Sequence, residues 1–139
     1  MAGLTPDTNA AVMTALLARI DTGGVALCQV FSSTQPATGA AAGGSPVCSM
    51  TLANPCGTID PVTGALVLVA TDTEGTNGQI AVAATPKWVR FYNNAGDIVM
   101  DLSARLASAA NLGEELVLTA SGGINVGAFI RIASGTVSA

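Results

Sequence analysis

The stretch of residues 79–102, QIAVAATPKWVRFYNNAGDIVMDL, constrains the fold of this chain most, because it combines strand-like alternation with strong turn signals. Alternation predicts one strand face that carries Trp88, Arg90 and Tyr92. Residues 93–97, Asn-Asn-Ala-Gly-Asp, accept positive φ angles, so the chain is predicted to fold back as a hairpin. Because a two-stranded ribbon alone is marginal in water, this hairpin must belong to a larger sheet.

The rest of the chain supplies one helix and further strands. Thr5-Pro6-Asp7 predicts a helix start, since Thr5 can cap the helix and Pro6 suits its first position. Apolar residues at three- and four-residue spacing extend the helix towards Gly23-Gly24; they are Val12, Met13, Leu16, Leu17 and Ile20. Besides the hairpin, the predicted strands are residues 25–31, 47–52, 65–71, 79–84, 116–119 and 128–133.

About eight short strands after one helix predict a mainly β fold, an antiparallel β-sandwich of the jelly-roll-like kind. At 139 residues we expect a single domain, 1–139, with residues 1–24 as an N-terminal helical segment. The nearly all-apolar strand 65–71 is predicted to be central and covered on both faces. Residues 103–115 are predicted to be irregular.

One connection, residues 32–46, is much longer than the others. Ordinary connections have about 4–6 residues, so this one is expected to be flexible and either mobile or functional. Its sequence, SSTQPATGAAAGGSP, carries no charge, so electrostatic attraction does not guide it. An extended loop of this kind can lie along a neighbouring subunit.

The surface of this protein has few charges. Charged residues make up 10% of the chain, against a typical value of about 25%, while hydrophobic residues make up 50%. Two interpretations remain open. The chain is a small-residue β protein with uncharged polar loops, or much of its surface is covered by a partner or by copies of itself.

Two classes of partner are disfavoured by the charge pattern. The net charge is −4 and the five cationic residues form no run, whereas nucleic-acid binders cluster Lys and Arg against phosphates. The same pattern argues against an anionic membrane surface. We therefore expect neither nucleic acid nor membrane as a partner.

The sequence offers little chemistry for catalysis. It has no histidine, which excludes Ser-His-Asp and Cys-His nucleophile systems. Two carboxylate pairs remain, Asp72 with Glu74 and Glu114 with Glu115, and we interpret them as solvated turn residues. We predict that the chain is not an enzyme and has no catalytic residues, no cofactor and no metal site.

Three cysteines, an odd number, are expected to be reduced thiols. Cys28 and Cys48 lie in apolar strand patterns and should pack as small hydrophobic residues. Cys56 belongs to the turn-like run Asn54-Pro55-Cys56-Gly57 and is predicted to be exposed.

Three segments carry a resemblance to a known family. They are Thr-Gln-Pro-Ala-Thr-Gly-Ala at 34–40, Trp-Val-Arg-Phe-Tyr-Asn-Asn-Ala-Gly at 88–96 followed by Val-Met-Asp at 99–101, and Gly-Glu-Glu-Leu-Val-Leu at 113–118. With the opening helix and the closing alternating strand, they resemble small structural proteins encoded beside the major capsid protein of tailed bacteriophages. Some of these are cement, or decoration, proteins with a jelly-roll fold, and the resemblance is nearest to that of a Bordetella-type phage.

The resemblance implies a non-enzymatic virion protein, made in the host bacterial cytoplasm. Such a protein binds the outside of the capsid shell and reinforces joints between major capsid protein subunits. Several weak contacts reinforce one another once the first has formed, and a two-fold dimer uses one surface patch twice, so a homo-oligomer, with a dimer favoured, is expected. The alternative is a phage neck or tail protein, or a module that binds a host-surface glycan.

We expect two groups of residues to matter for such an interface. Trp88, Arg90 and Tyr92 either fill the sandwich or anchor a contact, and the position of Arg90 in phase with the two aromatic residues slightly favours the contact. The long loop and residues 1–8 are predicted to reach a partner. The interface candidates in the loop are Thr34, Gln35, Pro36 and Thr38.

Overall fold

Across the residues that the structure describes, the fold is mainly β with a single N-terminal helix, as the sequence predicts. The structure is a computed structural model that describes residues 3–71, 78–121 and 123–139. Helix α1 (Pro6–Ile20) comes first. The strands in the described residues are β1 (Leu27–Phe31), β2 (Cys48–Thr51), β3 (Gly57–Ile59), β4 (Leu66–Leu68), β5 (Gly78–Gln79), β6 (Trp88–Tyr92), β7 (Ile98–Leu106), β8 (Leu116–Ser121) and β9 (Phe129–Val137).

The strands form one curled sheet of sandwich-like, half-barrel shape, with the order β2-β1-β6-β7-β8-β9-β4-β3. Strand β5 pairs with β9 off this path. The chain beyond β5 also reaches the other end of the sheet, because the Ala81 N–H donates to the Val47 carbonyl, 2.8 Å away. A Cβ on Gly78 would lie 2.7 Å from the Cys48 sulfur, so only glycine allows this approach.

The sheet is mixed, which corrects the prediction of an antiparallel arrangement. Strands β7 and β8 run parallel, with Ala104 opposite Leu116. The connection of residues 107–115 brings the chain back to the level of Ala104, so β8 starts in the same direction as β7. The other pairs in the described sheet are antiparallel.

The main core lies on the inner face of the curled sheet. Alternate residues of the strands point into it, as strand geometry requires. Each fully buried large apolar side chain stabilises the fold by about 1.5–3 kcal/mol relative to its exposure. Among the fully buried members are Val30, Met50, Leu66, Phe91, Leu116, Leu118, Ile130 and Ile132.

Helix α1 closes one end of this core against β3 and β4. Thr5 caps it, as predicted, by accepting a hydrogen bond from the Thr8 N–H. The buried Asn9 side chain donates to the Thr63 carbonyl at 3.0 Å and accepts from the Ala139 N–H at 3.0 Å. The apolar stripe is narrower than predicted, because Val12 is exposed while Met13 and Ile20 are buried.

Several strand predictions were wrong in extent. The predicted strand 65–71 shrinks to β4, whose Val67 is exposed, so this strand is not covered on both faces. Residues 103–106, predicted to be irregular, continue β7 because they pair with β6 and β8. Strand β3 was not predicted, and the predicted strand 79–84 is only β5.

Candidate functional site

The most unusual part of the molecule is the face of β2, β1, β6 and β7 that points away from the main core, here called the outer face. Side chains that lie opposite each other on neighbouring strands form rows across it. The rows are Phe31–Trp88–Ser103, Gln29–Arg90–Asp101 and Leu27–Tyr92–Ile98. The predicted phase of β6 is confirmed, since Val89 and Phe91 point into the main core.

The middle row contains a buried ion pair. Arg90 Nε lies 2.8 Å from Asp101 Oδ1, and Arg90 Nη2 lies 3.1 Å from Asp101 Oδ2. The two side chains are only 3% and 0% exposed. Hydrogen bonding to Asp101 raises the pKa of Arg90 further above its usual value, although burial opposes the shift. This is the two-pronged arginine–carboxylate geometry that gives strong, directional bonds.

A β-bulge places Asp101 opposite Arg90. The register between β6 and β7 shifts by one residue between Phe91 and Tyr92, so Phe91 faces Met100 rather than Val99. Without the bulge, Arg90 would lie opposite Met100, which instead packs into the main core. The hairpin turn itself is as predicted: Asn93 and Asp97 close it, with Gly96 at φ 89°.

The row beside the ion pair forms a second, smaller apolar cluster. Trp88 is fully buried and its ring stacks on Phe31, with centroids 4.5 Å apart and planes 17° from parallel. The Arg90 guanidinium lies 5.1 Å from the centre of the Trp88 ring, within range of a cation–π interaction. Neither aromatic residue belongs to the main core cluster, so something else must cover them.

The long loop of residues 32–46 provides this cover. The Trp88 indole N–H donates to Ser33 Oγ at 3.4 Å, and the Gly39 N–H donates to Asp101 Oδ2 at 3.1 Å. Arg90 Nη2 donates to the Ala40 carbonyl. Gly39 has φ 79° in the tight turn that brings these two backbone groups to the ion pair.

The structure separates the seven predicted interface residues into two groups. Trp88 and Arg90 are buried within the chain, but under the loop and not in the main core, so they do not fill the sandwich. Tyr92 is half-buried and its hydroxyl donates to Gln29 Oε1 at 3.0 Å. The loop candidates lie at the surface: Thr34, Gln35 and Thr38 are exposed and Pro36 is half-buried. Contact of any of these residues with a partner stays a prediction.

The third row is left open by the loop and borders a groove of about 510 Å³. Val25, Leu27 and Ile98 on or beside it are 45%, 37% and 40% exposed. The polar groups around the groove are engaged within the chain, since Tyr92 bonds Gln29 and the Asn94 amide donates to the Val25 carbonyl at 3.1 Å. The groove therefore offers apolar side chains between polar groups that already have partners.

All three cysteines are buried and reduced. The prediction that Cys56 is exposed was wrong, because the Asp21 carboxylate accepts its backbone N–H at 3.1 Å and the side chain packs into the core. Burial raises the pKa of Cys48 and of Cys56 to about 12, and that of Cys28 still further. At neutral pH these thiols are uncharged and therefore weak nucleophiles and ligands.

Of the two carboxylate pairs, only Glu114 with Glu115 lies in the described residues. Glu114 Oε2 accepts the Leu112 N–H at 2.9 Å and lies 3.9 Å from Arg105 Nε. Asp72 and Glu74 lie outside the described residues. Within the described ranges, no group of three or more His, Cys, Asp or Glu side chains could hold a metal ion.

The fold and the outer face thus define a small mainly-β protein with a loop-covered sheet face. In the part of the chain that the structure describes, no helix has the length and apolar character needed to cross a membrane. Comparison with protein-family models, with curated proteins and with solved structures gives no match.

Proposed function

We propose that this chain is a non-enzymatic structural protein of a tailed-phage virion. In this proposal it is a cement protein that binds the outside of the capsid shell and reinforces joints between major capsid protein subunits. The support comes from the resemblance described above and from the character of the outer face.

The observation that carries the proposal is the open third row of the outer face. Val25, Leu27 and Ile98 expose apolar surface beside the half-buried Tyr92. Burying such surface against a partner releases water and favours association. Because the neighbouring Gln29 and Asn94 side chains are bonded within the chain, a partner can cover them without stripping unpaired groups of water.

The same features fit a protein surface better than a carbohydrate. Recognition of a sugar depends on polar groups that are available to its hydroxyls and on aromatic rings that stack on it. In the groove, Tyr92 is half-buried and its hydroxyl already bonds Gln29. Apolar side chains of a capsid subunit suit this lining more closely than a glycan does.

A low surface charge also favours a structural role at subunit joints. Charged residues are costly to desolvate, and they make up only 10% of this chain. A chain that touches two capsid subunits makes each later contact intramolecular, which multiplies weak affinities. A two-fold dimer across a joint would present the open row twice, and we include such a dimer in the proposal.

Binding to purified capsid shells that lack this chain tests the proposal. The wild-type chain should co-sediment with the shells at saturation. Val25→Glu places a carboxylate in the groove beside the open row and should weaken binding about tenfold or more, equivalent to about 1.4 kcal/mol. The matched control is Val62→Glu, which makes the same charge change at an exposed residue between β3 and β4 and should alter affinity less than about twofold.

Two results would contradict the proposal. One is the absence of wild-type binding to shells under conditions in which the chain is folded. The other is an equal loss of shell affinity in Val25→Glu and Val62→Glu. This result would show that the open row is not part of the interface, even though the chain binds shells.

A further inference from the structure

The loop of residues 32–46 is joined to the rest of the molecule differently from the other covered segments. None of its residues belongs to the main core cluster or to the half-buried apolar residues packed against it. It is joined to side chains of the outer face by hydrogen bonds from the Ser33 hydroxyl oxygen, the Gly39 N–H and the Ala40 carbonyl. A segment that lies outside the main core and is held by a few hydrogen bonds can open locally while the rest of the protein stays folded.

We propose that residues 33–40 form a strap that is latched by the Arg90–Asp101 ion pair and opens as a unit over Trp88 while the sheet stays folded. The strap is defined as residues 33–40 and the latch as the two side chains with their bonds to Gly39 and Ala40. The inference rests on these contacts alone and does not depend on the proposed function.

The ion pair itself can outlast opening because both of its side chains belong to the sheet. Arg90 lies on β6 and Asp101 lies opposite it on β7, so their mutual bonds do not require the strap. Opening breaks the bonds to Gly39, Ala40 and Ser33 and lets water reach the ion pair. In the closed state the strap keeps water away and so strengthens the electrostatic attraction beneath it.

Opening also changes the outer face. The stacked rings of Phe31 and Trp88 lie under the strap, in the row next to the ion pair. Once the strap lifts, all three rows form one continuous surface that starts with the aromatic pair and ends at the open groove. Opening therefore adds the aromatic row to the accessible apolar surface, with the charged middle row between it and the open row.

Trp88 reports directly on this switch because it is the one tryptophan in the sequence. Asp101→Asn removes the negative charge of the latch, and so the partner of the Arg90 cation, while nearly keeping the shape of the side chain. In this variant we expect quenching of Trp88 fluorescence by acrylamide to increase at least threefold, and exchange of the Gly39 amide to accelerate at least tenfold relative to the amides of β8 and β9. The matched control is Asp97→Asn, because Asp97 pairs with Arg19 at the exposed end of the same hairpin. This control should leave quenching unchanged.

A measurement on the wild-type chain keeps the test decisive if Asp101→Asn fails to fold. Hydrogen exchange is followed at low denaturant concentrations for the Gly39 amide and for amides of β1 and β9. We expect Gly39 to exchange through an opening with a much smaller denaturant slope than that of the strand amides, because opening the strap exposes far less surface than global unfolding. If Gly39 shows the denaturant slope of the strands, the strap does not open separately. If folded Asp101→Asn retains wild-type quenching, the ion pair is not the latch. Either result overturns the proposal.

Discussion

Two loops of this molecule lie next to arginine–carboxylate pairs, and the two pairs differ sharply. Beside residues 32–46, Arg90 and Asp101 bind at 2.8 Å with side chains 3% and 0% exposed. Beside residues 107–115, Arg105 and Glu114 are 3.9 Å apart with side chains 17% and 18% exposed. Each arginine also donates to one loop carbonyl, Arg90 to that of Ala40 and Arg105 to that of Ala109.

The difference follows from where the carboxylate is attached. Asp101 belongs to β7 and is placed opposite Arg90 by the strand register, so the sheet fixes both partners. Glu114 belongs to the loop itself, and its carboxylate also accepts the Leu112 N–H. The buried Arg105 Nε consequently has no hydrogen bond in the described structure. The pair is tight and buried where the sheet supplies both charges, and longer and more exposed where the loop supplies one of them.

The largest effect should come from removing one member of the tight pair. Arg90→Met leaves the Asp101 carboxylate buried without its cation and should lower the free energy of unfolding by about 3–5 kcal/mol. Replacing both residues, with Arg90→Met and Asp101→Leu together, should recover much of this loss because no buried charge remains. Urea denaturation of both variants measures the difference. A double variant as unstable as the single one would show that the loss comes from packing.

The aromatic residue under the loop should give the next largest effect. Trp88→Phe keeps a ring for Phe31 to stack on but leaves a gap and removes the bond to Ser33. We expect a loss of about 1–3 kcal/mol in the free energy of unfolding, measured by circular dichroism during denaturation. The control is Phe129→Leu, which shortens an aromatic side chain at an exposed position and should cost less than about 0.5 kcal/mol.

The loose pair should matter much less than the tight one. Glu114→Gln removes the charge that faces Arg105 and should change the free energy of unfolding by less than about 1 kcal/mol, because the pair is long and partly hydrated. Asp101→Asn is the matched change in the tight pair. If this variant folds, it should lower the free energy of unfolding several times more than Glu114→Gln does. Equal losses in the two variants would contradict the contrast between the loops.

The smallest effect is expected at the exposed pair of Arg19 and Asp97, which lie 3.4 Å apart. Arg19→Gln should change the free energy of unfolding by no more than about 0.5 kcal/mol, and about 1 M salt should abolish the difference from wild type. The loss in the free energy of unfolding that Arg90→Met causes should persist at the same salt concentration, because dissolved ions do not screen a buried pair. A strong salt effect on the Arg90 penalty would indicate that the loop admits solvent freely.

The sequence predicts the parts of this structure that local rules decide. The hairpin, its turn and the phase of Trp88, Arg90 and Tyr92 follow from alternation and turn residues, and Thr5 caps its helix as a local signal predicts. These features depend on neighbours within a few positions, so one sequence contains enough information to place them.

The features that build the candidate site depend on contacts between residues far apart in sequence and on an irregularity in strand pairing. The bulge that turns Asp101 towards Arg90 interrupts the alternation from which phase is inferred. The bonds to Gly39 and Ala40 join residues 50 or more positions apart, which no local pattern shows. One signal was available: Asp101 is an isolated carboxylate in an otherwise apolar stretch of strand, a position that requires a buried partner.

The strap determines how much of the outer face a partner can reach. While the strap is closed, the open row is the accessible apolar part of the outer face, and the proposed contact with capsid subunits uses this row. The loop between β7 and β8, held less firmly, has its Leu112 side chain exposed. We propose no partner contact for that loop.

The copy number of this chain in purified phage particles tests the central proposal most directly. Quantitative mass spectrometry would measure its molar ratio to the major capsid protein. A cement protein across the shell predicts a ratio near one to one, corresponding to hundreds of copies. A few copies per particle would instead place the chain at the neck or tail, and its absence from particles would contradict a structural role in the virion.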